Sequence, residues 1–259
     1  MSVYETLRDT LRAGEPAALA TVIEGPGAGA KLLVRPGHAP EGSLGNVDLD
    51  RVVARDSLGE LEAGLTSTRH YGAHGEARER DVSVFIESFA LPPKMIIFGA
   101  VDFTAALAKV AKVLGYYVVV CDARAVFATV QRFRMADEVV NDWPDRYLAK
   151  IGDELGPRDA VCVLTHDHKF DVPAIASAVK TKVGYLGAMG SRRTHESRIA
   201  RLREAGVSDA EIERVQSPIG LDIGARTPEE TAISICSEII AQRTGRHAQS
   251  LRDTAGPIH

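Results

Sequence analysis

The sequence predicts an α/β protein in which a parallel-sheet domain follows a smaller N-terminal α/β domain, and three observations carry that expectation. The first is Lys94–Arg124. There an apolar run (Met95–Phe98) stops at Gly99, a helical pattern (Phe103, Leu107, Val110, Leu114) stops at Gly115, and a second apolar run (Tyr117–Cys121) stops at Asp122. Strand, glycine turn, helix, strand and acid in this order make the first βαβ unit of a Rossmann-like sheet. The second is the alternation of apolar runs with helical patterns that continues beyond Arg124. The third is Pro92-Pro93, a break that separates this rhythm from a different one before it. The expected divisions are an N-terminal domain (1–91), a Rossmann-like domain (94–245) and a polar tail (246–259).

In the first part, Ser2 with Glu5 is a capping-box pattern opening a helix that carries Val3, Leu7 and Leu11 and ends at Gly14. Ala17–Ile23 reads as a strand, the glycine-rich 25–30 as a turn, and Lys31–Val34 as the return strand. A loop over Pro36–Asn46 leads to a helix over Leu49–Leu65. Strands over Thr66–Tyr71 and Asp81–Phe89 follow, joined by a loop over Gly72–Arg80, with Val82, Val84 and Ile86 on one face.

Beyond Arg124 the pattern predicts strands over Glu138–Asn141, Ala160–Thr165 and Val183–Ala188, with helices over Asp145–Leu155, Val172–Lys180 and Thr194–Ala205 between and after them. Ser208 with Glu211 opens a short helix. Thr227-Pro228-Glu229-Glu230 opens the last one, which carries Ile233, Cys236, Ile239 and Ile240 on its expected buried face. Ligands of such sheets bind outside the carboxyl ends of the strands. Four loops leave those ends: Gly99–Thr104, Asp122–Arg124, Thr165–Asp171 and Gly187–Arg193.

Composition narrows the classes of function. With 259 residues and 45% hydrophobic content the chain can bury a sizeable core. A net charge of −4 and no basic stretch interleaved with aromatics argue against nucleic acid. No apolar run is long enough for a signal peptide or a membrane span, so a soluble, cytoplasmic protein is expected. Cys121, Cys162 and Cys236 each sit in an apolar run, far apart, which reads as buried reduced thiols rather than a metal or redox pair.

The loops differ in what they offer. A dinucleotide fingerprint would place small residues at positions 99, 101 and 104; the chain has Gly99, Val101 and Thr104, with Ala100 and Asp102 between them. The valine crowds the approach of a pyrophosphate, and Asp102 adds negative charge at a helix N-terminus. Asp122 stands where an acid would meet a ribose hydroxyl, with Arg124 two residues on. Thr165-His166-Asp167-His168 can be read as a polar ligand-contact loop, a solvated turn or a partial metal set; His166 is the first candidate proton carrier. Gly190, Ser191, Arg192 and Arg193 lead into a helix, and forked donors at a helix N-terminus suit phosphate or another planar anion. The bland alternative is a surface helix start whose arginines pair with Glu196.

The motifs TVIE, KLLVR, EGSLG, IIFGA, CDAR, LTHD, YLGAMGSRR and SPIGLDIGARTPEETAISICSEIIA together resemble the XdhC/CoxI family of accessory proteins for xanthine dehydrogenase and related molybdenum hydroxylases. The resemblance covers nearly the whole chain and implies a Rossmann domain behind a smaller α/β domain. It implies a cofactor chaperone rather than an enzyme with turnover. The chaperone binds molybdenum cofactor (molybdopterin), assists its sulfuration, and delivers it to a molybdenum hydroxylase, with a cysteine desulfurase and a second copy of the chain as further partners. The cofactor would lie against Gly99, Ala100, Val101, Asp102, Asp122, Arg124, Thr165, His166, Asp167, Gly190, Ser191, Arg192 and Arg193. Two stretches depart from the family pattern: Asp48 stands where members carry a cysteine in a glycine-rich turn, and Val101-Asp102 stands where members carry glycine and histidine. Two other readings are an NAD(P)-binding oxidoreductase and a member that retains only partner binding.

Overall fold

Met95 and Ile97 face one apolar cluster while Ile96 and Phe98 face another, and Val118 and Val120 alternate in the same way with Val119 and Cys121. Strands that bury both faces need helices on both sides, which is the condition for a doubly wound parallel sheet. The computed structural model, which describes residues 2–77 and 79–254, has this arrangement. The chain forms two compact units, 1–91 and 92–259; residues 255–259 of the expected polar tail lie outside the described residues.

The first unit is an antiparallel sheet with two helices, α1 (Val3–Arg12) and α2 (Val47–Ala63). Its strands are β1 (Ala17–Glu24), β2 (Lys31–Val34), β3 (Glu41–Ser43), β4 (Ser67–Tyr71) and β5 (Val82–Phe89), in the order β3-β2-β1-β5-β4. The Ser2–Glu5 capping box is formed. The helix it opens buries Thr6 and Thr10 rather than Leu7 and Leu11, because Thr6 donates to Glu41 while Leu11 is left exposed. β3 lies inside what the sequence suggested was a loop. Its three residues, Glu-Gly-Ser, are not strand formers, and pairing with β2 holds them extended.

The second unit contains β6 (Lys94–Phe98), α3 (Asp102–Val113), β7 (Tyr117–Cys121), β8 (Glu138–Val140), α4 (Pro144–Ile151), β9 (Ala160–Val163), α5 (His168–Ala178), β10 (Tyr185–Ala188), α6 (Arg192–Glu204), α7 (Asp209–Ile212), β11 (Val215–Gln216) and α8 (Pro228–Thr244). All its strand pairs are parallel, in the order β11-β10-β9-β6-β7-β8. Counted within the unit this is the 3-2-1-4-5-6 order of a doubly wound dinucleotide-binding sheet, whose order reverses between β6 and β9. α3 packs with α8 on one face, and α4, α5 and α6 pack in sequence on the other.

Several predicted bounds are corrected. α5 starts at His168, not Val172. Asp167 caps the helix four residues earlier than expected, which places Pro173 inside it, beyond the first turn. The expected Thr165–Asp171 loop is therefore mostly helix. α4 ends at Ile151 and passes into a 3-10 turn over Gly152–Glu154. β11 was not foreseen, since two residues carry no period. α8 buries Ala232, Ile235, Cys236 and Ile239 and leaves Ile233 and Ile240 exposed. Among the described residues no helix is long and apolar enough to cross a membrane.

Candidate functional site at the strand-order reversal

Gly99 ends β6 with φ +111°, and a Cβ there would stand 2.7 Å from Thr165 Cγ2 and 3.0 Å from the Thr165 nitrogen. The turn thus needs glycine both for its backbone angle and for the neighbouring strand end. Thr104, fully buried at the third fingerprint position, closes the turn through its hydroxyl. It donates to the Gly99 carbonyl and accepts from the Val101 N–H at 3.4 Å. Val101 is the N-cap of α3 and supplies no side-chain cap. Asp102 begins the helix with its carboxylate almost wholly in solvent, 3.8 Å from Arg132.

Asp122, buried at the end of β7, is filled by its own chain. Oδ2 accepts from the Ala100 N–H at 2.7 Å and from Arg124 Nη2 at 2.7 Å; Oδ1 accepts from the Arg124 N–H and Nε, both at 2.9 Å. A carboxylate has about four lone-pair sites, and here all are taken. Burial acts to raise the Asp122 pKa, but the Arg124 and Ala100 hydrogen bonds together outweigh it and leave it below the ordinary value. A ribose hydroxyl would have to displace Arg124, whose guanidinium also lies 4.7 Å from the Phe127 ring centre and 5.7 Å from that of Phe170.

At the end of β9, Thr165 is buried with its hydroxyl unpartnered, His166 is exposed, and Asp167 caps α5 by accepting from the Lys169 N–H at 3.1 Å. At the end of β10, Gly190 has φ +148°. Ser191 is a helix cap, its Oγ accepting from the Thr194 N–H at 3.1 Å. Arg192 and Arg193 open α6, both exposed, and neither has an ion pair among the described residues. The alternative pairing with Glu196 is not formed.

The sequence reading missed a fully buried charge pair beside these loops. Arg198 Nη2 donates to Asp171 Oδ2 at 3.0 Å and to the Met189 carbonyl at 2.7 Å, and Nη1 donates to Ser217 Oγ at 3.0 Å. One side chain of α6 thereby ties together α5 and the loops that leave β10 and β11. Arg198 Nε and Asp171 Oδ1 are left without partners, as are the Thr165 hydroxyl and the Nδ1 atoms of His168 and His195. Burial pushes Asp171 up to about 6, offset only in part by Arg198. Burial and then Arg198 hold His195 below its ordinary value. A signal was present: Asp171 and Arg198 each precede a core residue of their helix, Ile175 and Leu202, by four positions, so each falls on the apolar stripe.

All thirteen candidate residues belong to the second unit and follow the carboxyl ends of β6, β7, β9 and β10. Among the described residues no group of three or more His, Cys, Asp or Glu could hold a metal ion. The three cysteines are buried and unpaired, and burial pushes Cys121 and Cys236 up to about 12. Asp48 lies in the first unit, exposed on the first turn of α2 and 3.1 Å from Arg51.

Strand order, glycine turn and buried acid define a Rossmann-type ligand-binding domain. The family model described as the XdhC Rossmann domain matches residues 95–239, and that of the XdhC and CoxI family matches 10–72; the chain belongs to the XdhC/CoxI family. It is 30% identical over 243 residues to a protein of Bacillus subtilis (strain 168) named as a probable xanthine dehydrogenase subunit, covering 93% of this chain and 64% of that protein. It is 27% identical over 237 residues to "Uncharacterized protein YqeB" of Escherichia coli (strain K12), covering 87% and 43%. It is 32% identical over 106 residues to "Molybdenum cofactor insertion chaperone PaoD" of Escherichia coli (strain K12), covering 41% and 33%. The chain thus spans less than two thirds of the length of the first and less than half that of the second. A crystal structure described as a xanthine dehydrogenase from Bacillus halodurans superposes with a TM-score of 0.56 over 97% of this chain and 98% of that one, at 21% identity, a likeness of fold.

Proposed function

We propose that the chain is an accessory protein that binds molybdenum cofactor at the strand-order reversal and assists its insertion into a molybdenum hydroxylase of the xanthine dehydrogenase type. The observation that carries the reading is Arg192-Arg193. Two exposed guanidiniums, without an ion pair among the described residues, open a helix, where they oppose the helix dipole. An anionic ligand supplies the missing partner. The names of PaoD and of the Bacillus subtilis relative supply the class of ligand and recipient.

The residues fit such a group. The buried, unpartnered Thr165 hydroxyl beside the Gly99 turn offers a hydrogen bond that no protein group uses. When bound, the cofactor supplies a pterin ring, a phosphate and the metal centre. The chain's own part is to bind and hold: Arg192 and Arg193 take the anionic end, and Thr165 donates or accepts at the strand end. Sulfuration while bound, with a cysteine desulfurase as sulfur donor and a dimer as the working form, belongs to the same reading. NAD(P) is disfavoured by Val101 and by the filled acceptor sites of Asp122.

Mass analysis of pterin that co-purifies with the chain tests this directly. Arg192→Ala with Arg193→Ala is expected to weaken phosphate-bearing ligands by about 10- to 100-fold, the worth of one or two charge-assisted contacts. Unchanged affinity would move the ligand elsewhere. Capture of the hydroxylase by protein that carries no pterin would leave partner binding alone, and saturable NADH binding lost in Asp122→Ala would restore the oxidoreductase reading.

A further inference from the structure

The chain carries a net charge of −4, yet the stretch between Asp122 and Asp137 contains Arg124, Arg132 and Arg134 and no acid. It leaves β7 as a run of turns, neither helix nor strand, and it is held in shape. The Phe133 side chain is buried, Arg132 Nη1 donates to the Phe127 carbonyl at 3.2 Å, and the Asp137 N–H returns to Val118 at 2.8 Å. Its outer surface is apolar and cationic together. Val126 is 82% and Val130 65% exposed, Phe127 and Met135 are exposed beside them, and Arg134 has no ion pair among the described residues. The Phe127 ring is approached by two guanidiniums, Arg124 at 4.7 Å and Arg132 at 5.7 Å from its centre, contacts that hold both arginines at this surface. The stretch also adjoins the candidate site. Arg124 shares Asp122 with the Ala100 N–H, and Arg132 approaches Asp102 at the start of α3.

We propose that residues 123–136 form a docking surface for a partner protein whose facing surface is acidic and apolar, the recipient of what is held at the strand-order reversal. The proposal rests on the accessory reading for the identity of that recipient. Exposed valines, phenylalanine, methionine and arginine in one patch have the composition of an interface centre, where arginine and aromatics anchor and lysine and acids are depleted. The sign of the charge selects the occupant: the same patch on a second copy would repel it, whereas an acidic surface is drawn in from a distance. Its place next to the Gly99 turn puts the recipient beside the ligand at the moment of transfer.

Binding of the full chain to a purified apo molybdenum hydroxylase of the xanthine dehydrogenase type, at low and at moderate salt, is the test. The wild type is expected to bind less tightly as salt rises. Arg134→Glu is expected to weaken binding about 10-fold at low salt, mostly through slower association, and by less at higher salt. Val126→Ser with Val130→Ser, both exposed, is expected to weaken it about 10-fold at either salt. Both variants should keep the wild-type content of co-purified pterin. Undiminished affinity in both variants overturns the docking surface and leaves the accessory reading standing. A wild type that does not bind the apoenzyme overturns the accessory reading and the docking surface with it. Loss of a wild-type dimer in the variants, or capture by phosphatidylserine vesicles in place of the apoenzyme, overturns it in favour of a second copy or a membrane surface.

Discussion

Two aspartate–arginine pairs stand at the carboxyl side of the same sheet, and burial has opposite consequences for them. Asp122 is buried, but its arginine reaches solvent and every acceptor site of the carboxylate is filled. Asp171 and Arg198 are both fully buried, joined by one hydrogen bond, with one carboxylate oxygen and one guanidinium nitrogen unpartnered. The first aspartate is pulled below its ordinary pKa and the second is pushed up to about 6. Depth alone does not decide the sign; the number of donors reaching the carboxylate does. The satisfied pair fastens the glycine turn to the next strand. The unsatisfied pair fastens the loops after β10 and β11, the first of which leads into α6 and its Arg192 and Arg193.

Removing one member of each pair gives the largest contrast. Arg198→Ala leaves a buried aspartate without its counter-charge and frees the Met189 carbonyl and Ser217, and is expected to cost about 3–5 kcal/mol in urea unfolding. Arg124→Ala leaves Asp122 with two backbone donors, the N–H groups of Ala100 and of residue 124 itself, and because the Arg124 side chain is exposed the expected cost is about 1 kcal/mol. Replacing both buried charges, Asp171→Leu with Arg198→Met, should cost less than Arg198→Ala alone, since no unpaired charge remains. Equal costs for the two single variants would mean that burial of the second pair contributes nothing.

The pH dependence separates the pairs by sign. Asp171 holds its proton up to about 6 in the folded chain and releases it near 3.8 when unfolded. Stability from this group therefore falls as pH rises from about 4 to 6. Asp122, depressed when folded, contributes stability that is present above its unfolded value and is lost as pH falls below about 4. Unfolding of wild type, Asp171→Asn and Asp122→Asn should give difference curves of opposite slope, the Asp171 difference between about pH 4 and 6 and the Asp122 difference below about pH 4. Curves of the same slope would show that one carboxylate is solvated differently.

The contrast also explains what was legible in the sequence. The β6–α3–β7 unit, its glycines and Asp122 were readable because each acts on near neighbours in the chain through backbone angles and period. Asp171 and Arg198 lie 27 residues apart and meet only after α5 and α6 pack. Their trace was a charge on each apolar stripe, overshadowed by a helix full of arginines. The donors to Asp122 were half legible: Arg124 follows it by two residues, but the Ala100 N–H comes from another strand end. The start of α5 was set too late because its first turn, His168–Asp171, has a single apolar residue, Phe170, and carries no apolar period, while the Asp167 cap fixes it at His168.

The smallest expected effect concerns the difference between the two helix starts that flank the site. α3 begins with an exposed carboxylate, Asp102, and α6 begins with two exposed guanidiniums, Arg192 and Arg193. A negative charge at a helix N-terminus stabilises the helix by about 0.5 kcal/mol and repels an incoming anion; a positive one does the reverse on both counts. Asp102→Ala should therefore lower stability by about 0.5 kcal/mol while raising the affinity for a phosphate-bearing ligand by about 2-fold, an effect that fades at high salt. Arg192→Ala should shift both quantities the other way, stability up and affinity down. If Asp102→Ala instead weakens the ligand, the carboxylate contacts it directly, and the α3 start is a binding wall of the same rank as the α6 start.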